Sequence, residues 1–411
     1  MVSYPEPRVA SPPRILVTHG HTRIGFNVAA SLTAAGYGVI SATRYRPGMC
    51  AGMRGVAAEI HYPDPFTDGE AFVAALTGAA RSFGVAAVLP VHEEIFAASL
   101  ARDEIERVAP LLAPAFTDLI GLQDKARLAD LAGRADVLTP ASALITSPGD
   151  VMIALRSVGL PAVIKPRFGS GARGVRRIAG AADFEARRAE LERATGHGEF
   201  IAQAWVPGRG VAIGGVFSEG RVVALTGHMR LREIPISGGT STARVTFRHP
   251  GLEQATARLF AAARFSGVGM AEFRYDPSAD RAWLLEINPR YWGGIGTAIA
   301  SGVPIPVLHL RALLSNEPPT DVIVPTRMVE SRWLLGEVRA GVELLRAGRW
   351  RDVAAMLRRP HGRPLVWDDL AARRWSAFAA EARAYLRTYW DYRNLGGHSA
   401  QKDRFFLSRA S

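Results

Sequence analysis

An α/β fold is what the sequence predicts, and three observations carry the prediction. Residues 14–43 run from a buried-strand stretch (Ile15–Val17) through a helix-period segment (Ile24–Ala35) to a second strand (Val39–Ser41), the pattern of a βαβ unit. The middle of the chain is rich in short strands, with turn signals at Glu219-Gly220 and Asp276–Asp280. From about residue 316 it becomes Arg/Ala/Leu/Trp-rich and helix-periodic over 329–356 and 367–389, which predicts a helical C-terminal extension. With 411 residues, 48% of them apolar and 21% charged, the chain is of globular composition and long enough for two to four domains at roughly 100–200 residues each.

Several classes of function are disfavoured at once. The longest apolar runs fall short of the roughly 18 residues that a membrane span needs. The first fourteen residues, MVSYPEPRVASPPR, are polar and proline-rich, without the apolar core of a signal peptide, and read as a loose tail. A single cysteine, Cys50, excludes an intrachain disulfide framework and a multi-cysteine metal site, so a reducing cytoplasm is the expected compartment. The net charge of +12 invites a nucleic-acid reading, but no Cys/His finger or RNA-type aromatic motif accompanies it. Thirteen arginines face seven acids between Arg332 and Arg393, spread through helical sequence as on a solvated face. Neither nucleic acid nor membrane is therefore an expected partner.

The basic residues carry a second message. Only three of the 50 are lysines: Lys125, Lys165 and Lys402. Lysine is a compact charge on a flexible stem, arginine a planar fork, so positions 125 and 165 point to a need for the compact charge.

Taken in order, the first ligand-facing loop is Gly20–Gly25, at the end of the first strand. It is not a dinucleotide fingerprint, because Thr22 stands where the middle glycine belongs and Arg44 where an acid belongs. In this loop His19, His21 and Arg23 are candidates for contact with a polar substrate, against a plainer reading of the two histidines as loop surface. The strand Val85–Pro90 runs into VHEEIF, which places Glu93 and Glu94 at the ligand-binding end of a parallel sheet or at a helix N-terminus. Residues 118–133 read as one amphipathic helix carrying Lys125. The strand at Val163-Ile164 ends in Lys165, and FGSGARGV follows, with glycines at 169, 171 and 174. A glycine-rich loop between two strands offers backbone N–H groups to phosphate oxygens. Residues 200–206, FIAQAWV, form another strand, and the hairpin strands 211–217 and 222–227 follow. Strands 268–275 and 282–288 pair as a second hairpin on which Glu272 and Glu286 can face each other. Alternation puts Asn288 on the same face as Glu286, with Arg290 just beyond Pro289. Two carboxylates and an amide oxygen suit Mg²⁺; a pair of solvated acids is the plainer alternative.

Six segments in this order and spacing resemble the ATP-grasp superfamily, and within it the carbamoyl-phosphate-synthase-like carboxylate–amine ligases. They are QDK (123–125), VIKPRFGSGARGV (163–175), FIAQAWVPG (200–208), HMRLREIPISGGTST (228–242), MAEFRYD (270–276) and LLEINPRYWGGIGTAIASGVPIP (284–306). The resemblance covers roughly residues 14–312. It implies a tail at 1–13, a Rossmann-like pre-ATP-grasp domain at 14–115 and a small lid subdomain at 116–200. A large subdomain with the metal site would span 201–315, and a helical extension 316–411. It further implies that Lys125 and Lys165 touch ATP phosphates in a solvent-facing cleft. Gly169, Ser170, Gly171 and Gly174 would belong to a phosphate-covering lid. Gln203 and the backbone of Ala204 and Val206 would contact adenine. Glu272, Glu286 and Asn288 would hold two Mg²⁺ ions, with Mn²⁺ able to substitute. Arg290 would stabilise the transferred phosphoryl group, and Arg230 with Gly238-Gly239-Thr240 would line the acceptor side. The implied reaction joins a small-molecule carboxylate to an amine through an acyl phosphate, releasing ADP and phosphate; a homodimer is compatible with it. Carboxylation, phosphorylation without ligation, and a non-catalytic nucleotide-binding module are the alternatives. One departure is Gly210 after Arg209, where many relatives carry a ribose-binding acid.

Overall fold

The computed structural model describes residues 12–169, 174–196, 198–236, 238–314, 321–370, 375–394 and 405–409, and every structural statement below concerns these residues. The expected tail up to residue 11, and Ser170 and Gly171 of the glycine-rich loop, lie outside them. Among the described residues no helix is long and apolar enough to cross a membrane.

The N-terminal region alternates strand and helix: β1 (Arg14–Val17), α1 (Arg23–Ala34), β2 (Gly38–Thr43), β3 (Val56–His61), α2 (Gly69–Phe83), β4 (Ala87–Leu89), α3 (Glu94–Leu100) and α4 (Arg102–Glu106). The strands form a parallel sheet in the order β3-β2-β1-β4. Ile15, Leu16 and Val17 are fully buried, because helices or neighbouring elements cover both sheet faces. The boundaries of α2 follow from its sequence. Asp68 caps the start by accepting from the Ala71 N–H at 3.0 Å, and Gly84 ends it in the left-handed conformation.

Next come α5 (Phe116–Gln123), α6 (Leu128–Arg134), β5 (Ser142–Ile145), α7 (Asp150–Val158), β6 (Ala162–Pro166), β7 (Arg176–Ile178), α8 (Ala181–Thr195) and β8 (Phe200–Ala204). Strands β5-β8-β6-β7 make an antiparallel sheet, with β6 and β7 flanking the glycine-rich loop as expected. The single helix expected over 118–133 is broken in two, and Lys125 sits in the break. The cause is tertiary. Asp124 leaves the helical conformation so that its carboxylate can accept two bonds from Arg167, past the end of β6.

The largest sheet is built from β9 (Arg209–Ser218), β10 (Arg221–Ile234), β11 (Thr240–Thr246), α9 (Pro250–Ala262) packed beside it, β12 (Gly267–Asp276) and β13 (Arg281–Asn288). Then follow α10 (Ile295–Ala300), α11 (Ile305–Leu314), β14 (Glu330–Arg332), α12 (Leu334–Arg346), α13 (Trp350–Met356), β15 (Leu365–Trp367) and α14 (Trp375–Asn394). The sheet order is β13-β12-β9-β10-β11-β14-β15. The C-terminal region is thus largely helical but also lends two short strands to this sheet. The frayed tail expected after Gly396 is outside the described residues up to 404; residues 405–409 form a helical turn. Its Phe406 is buried, edge-on to Phe96 at 4.8 Å and stacked on Phe168 at 5.5 Å.

One apolar cluster joins the regions. Val28 and Leu32 of α1 belong to the same buried core as Trp292, Ile305 and Leu308, so α1 is covered by the parallel sheet on one side and α10 and α11 on the other. This packing brings the carboxyl ends of β1 and β4 close to the end of β13.

Glycine 215 tests the close packing of the large sheet. A Cβ there would lie 1.9 Å from the Ala224 carbonyl oxygen, which belongs to the neighbouring strand's backbone and cannot swing aside. The Gly215→Ala variant is expected to lose about 1–3 kcal/mol in urea unfolding, as overpacked sites do. The matched control is Gly78, in the middle of α2 with open space around it. There Gly→Ala should raise stability by about 0.5–1 kcal/mol. Equal effects at the two positions would contradict this account of the sheet.

Candidate active site

The site lies where β6, β8 and the β12–β13 hairpin meet. In the hairpin Glu272 pairs directly with Glu286, as the sequence predicts. The ladder then slips, because Phe273 pairs with Leu284 and leaves Leu285 as a bulge. The bulge turns the Leu285 carbonyl out of the ladder, and it accepts a hydrogen bond from Lys165 Nζ at 3.1 Å. The same ammonium donates to Gln203 Oε1 at 2.9 Å. Gln203 is itself fixed, donating to Ser142 Oγ at 3.0 Å.

Lys125 reaches the cluster from the α5–α6 break. Its Nζ donates to the Gly169 carbonyl at 2.7 Å and lies 3.4 Å from Glu286 Oε2. The expected solvent-facing cleft is corrected here: Lys125 and Lys165 are only 6% and 8% exposed. Burial lowers the Lys165 pKa to about 8, with the Lys125 charge adding to the effect and Glu286 and Glu272 opposing it.

The two glutamates divide their electrostatics. Burial disfavours ionisation of both. At Glu286 the charges of Lys125 and Lys165 outweigh burial, and the pKa is lowered. At Glu272 burial, helped by the Glu286 charge, outweighs Arg230 and the pKa is raised. Asn288 Nδ2 donates to Glu272 Oε1 and Glu286 Oε1, each at 3.3 Å, so all three side chains share one face. Arg290 donates to Asn288 Oδ1 at 3.0 Å and to the Tyr291 carbonyl at 3.0 Å. The two adjacent carboxylates are a donor pair that fits a hard divalent cation; Asn288 turns its amide nitrogen to them and its oxygen to Arg290, so the amide would turn over to add its oxygen to the set.

Arg230 pairs with Glu272 and donates to Glu233 Oε1 at 2.9 Å and to the Gly239 carbonyl at 3.0 Å. Burial would lower its pKa, but Glu272 and Glu233 keep it above the ordinary arginine value. Arg230 and Gly239 therefore adjoin the carboxylates. Gly174 has φ +73, which suits glycine. The Ala204 N–H is committed to the Ala141 carbonyl at 2.8 Å.

The sequence reading left the supports of these residues unassigned. Arg167 holds Asp124, Glu199 pairs with Arg167, and the Lys125 N–H bonds the Arg167 carbonyl at 3.4 Å. Asp124 stands inside the QDK segment, which was an available signal. Glu233 and Arg167 also stand inside two of the six segments, 228–242 and 163–175, but only the fold shows which groups they hold.

Of the residues expected to contact a polar substrate, Glu93 adjoins this cluster. Glu93 Oε1 is 3.7 Å from Arg290 Nη2. Glu94 is buried, accepting from Thr18 Oγ1 at 2.6 Å and from the His92 N–H at 3.1 Å. Its pKa is lowered to about 2: burial pushes it up, but the His19 charge and the hydrogen bonds of His19 and Thr18 outweigh that. His21 is buried rather than on the loop surface, and burial pushes its pKa well down. Arg23 is turned away from the cluster, stacked over Trp333 at 4.0 Å and 3.9 Å from Glu381.

A parallel-sheet domain, a small antiparallel sheet whose β6 and β7 flank a glycine-rich segment, and a large sheet ending in a Glu–Glu–Asn cluster make up an ATP-grasp fold. Residues 199–335, a third of the chain, match the family described as ATP-grasp in the biosynthetic pathway with Ter operon. Among curated proteins, the mitochondrial acetyl-CoA carboxylase of Saccharomyces cerevisiae is 28% identical over 178 residues, 40% of this chain but only 8% of the yeast enzyme's length. Among solved structures, the biotin carboxylase domain of Hydrogenobacter thermophilus 2-oxoglutarate carboxylase superposes with a TM-score of 0.62 at 13% identity. It covers 77% of this chain and 73% of its own. The L-amino acid ligase from Bacillus licheniformis superposes at 0.58 with 15% identity, covering 78% of this chain and 79% of its own. At these identities the structural likeness concerns the fold.

Proposed function

We propose that the chain is an ATP-dependent ligase that activates a small-molecule carboxylate as an acyl phosphate and joins it to an amine or amino acid, releasing ADP and phosphate. The observation that carries the reading is the convergence of Lys125, Lys165, Glu272, Glu286, Asn288 and Arg290 on one cluster, buried except for the partly exposed Glu272 and Glu286. In this reading Lys125 and Lys165 bind the phosphates of ATP, and Gln203 orients the Lys165 ammonium. Glu272, Glu286 and Asn288 hold Mg²⁺, which when bound neutralises phosphate charge. Arg290 and Arg230 orient the carboxylate and stabilise charge at the transferred phosphoryl group. Phosphoryl transfer needs positioning and charge stabilisation more than a protein nucleophile. The backbone of Ala204 and Val206 borders the adenine position. Gly169 and Gly174, at the two described ends of the glycine-rich segment, would border the phosphates, and the reaction requires that water be kept from the acyl phosphate. The fold of the Bacillus amino acid ligase supports the reading.

A second reading, activation of bicarbonate in a carboxylation, is favoured by the likeness to the yeast carboxylase. Both are tested together. The enzyme is incubated with Mg²⁺, ATP, hydroxylamine and a panel of carboxylic acids or bicarbonate. The ligase reading expects a stable hydroxamate of one acid, formed in step with ADP. Turnover with bicarbonate alone would favour carboxylation. AMP with pyrophosphate would sink both, since in this reading the cations around Glu272 and Glu286 would stabilise charge at the γ-phosphoryl group.

A further inference from the structure

We propose that His19, His92 and Glu94 form a binding site for a divalent transition-metal ion of the Zn²⁺ kind, separate from the Glu272–Glu286 cluster. One ligand atom from each of the three lies within 4.8 Å of the other two. His19 Nδ1 and Glu94 Oε2 are 3.4 Å apart. Two ligands at normal zinc bond lengths in a tetrahedral site stand about 3.3–3.5 Å apart, so this pair already has the required spacing. The His19 and His92 rings stack at 4.7 Å with their planes 17° apart, so one ring turns out of the stack for both nitrogens to face the ion.

The surroundings hold the ligands in place. Glu94 is 4% exposed, and its Oε1 takes both the Thr18 hydroxyl and the His92 N–H, which leaves Oε2 on the His19 side. Such outer bonds fix carboxylate ligands at metal sites. His19 has φ +61, a left-handed backbone that a non-glycine residue adopts at a cost. Its N–H is held by the Tyr62 hydroxyl at 3.3 Å. His21, with its ring 4.6 Å from His19, is not part of the donor set, because its Nδ1 accepts the Arg44 N–H at 3.4 Å.

Position and chemistry agree. Residues 18–19 follow β1 and residues 92–94 follow β4, so the three side chains gather at the carboxyl edge of the parallel sheet, where open α/β sheets take ligands. Two imidazoles and one carboxylate favour Zn²⁺ or another first-row transition metal over Mg²⁺ or Ca²⁺. Three protein ligands leave a coordination position open. The neighbouring Glu93 reaches Arg290, so the site borders the cluster described above.

The test uses the full chain without a histidine tag, stripped with chelator and titrated with Co²⁺, whose ligand-field absorption reports nitrogen and oxygen ligation, and with Zn²⁺ by calorimetry. With excess Mg²⁺ present to occupy the Glu272–Glu286 cluster, one saturable Co²⁺ or Zn²⁺ equivalent is expected in the parent chain and in Glu286→Gln. His92→Asn and Glu94→Gln should each weaken binding by at least about tenfold, the lower end of what even an outer-shell change costs. His92 is only half-buried, so its variant should fold even if Glu94→Gln does not, and circular dichroism melting checks both. Zn²⁺ should raise the Tm of the parent chain and not that of His92→Asn. No saturable equivalent, or binding unchanged in both variants, would overturn the site. Loss of binding in Glu286→Gln would overturn its separateness.

Discussion

The Lys165→Ala variant should form ADP about 100- to 1,000-fold more slowly than the parent chain, the range lost when one preorganised donor is removed from a reacting centre. The ammonium is buried, held by Gln203 Oε1 and the Leu285 carbonyl, and no other described lysine shares its position. Removing it also strands those two acceptors, so a stability loss of about 1–3 kcal/mol is expected alongside. Comparison of ADP release with the folded fraction, from a urea titration of the same sample, separates the two effects. The pH profile gives a second check. Because the Lys165 pKa is lowered to about 8, the free protein loses this charge as pH rises through that value. The kcat/KM for ATP, which reports the free enzyme, should therefore fall on the alkaline side near pH 8. A rate loss below tenfold, or a flat profile between pH 7 and 9, would remove Lys165 from the phosphate site.

Arg244→Ala should cost about 3–5 kcal/mol of stability, the loss typical of a buried ion pair with one partner removed. Arg244 on β11 and Asp368 just after β15 are each 1% exposed, 2.8 Å apart, and joined by the Arg244 bonds to the Gly293 and Ser241 carbonyls at 2.8 Å. Cutting the arginine leaves the Asp368 carboxylate buried with its strongest partner gone. It also frees Gly293, three residues beyond Arg290, so activity should fall even at temperatures where the variant is folded. The double variant Arg244→Met/Asp368→Leu should recover most of the stability, because apolar replacements remove both desolvation costs. Urea midpoints of the two variants decide the matter. A loss under 1 kcal/mol in Arg244→Ala would mean that the pair is not closed in solution.

These two residues mark the boundary of what could be read from sequence. Lys165 stood out because lysine is rare in this chain and because a strand and a glycine-rich loop flank it. Arg244 and Asp368 were invisible: an arginine on a strand and an aspartate 124 residues later carry no local signal of meeting. Lys125 falls between the cases. Its presence in the site was legible, but its helix was drawn unbroken, because amphipathic periodicity continues across 118–133 and only the Asp124–Arg167 contact interrupts it. The histidines show the same limit. As residues of a polar loop, His19 and His21 looked exposed; the carboxyl edge of the parallel sheet folds around them.

By itself the sequence determined the α/β class, the strand and hairpin positions, and the facing of Glu272, Glu286 and Asn288. All of these follow from patterns with periods of two or 3.6 residues and from glycine- and proline-marked turns, which act over short stretches of chain. Tertiary structure alone decided that Leu285 bulges toward Lys165, that β14 and β15 extend the large sheet, and that Glu93 reaches Arg290. It likewise decided that Lys125 and Lys165 are buried rather than open to solvent. Each of these depends on which distant segments share a core, and the burial and pairing of charges are properties of that shared core rather than of any one segment.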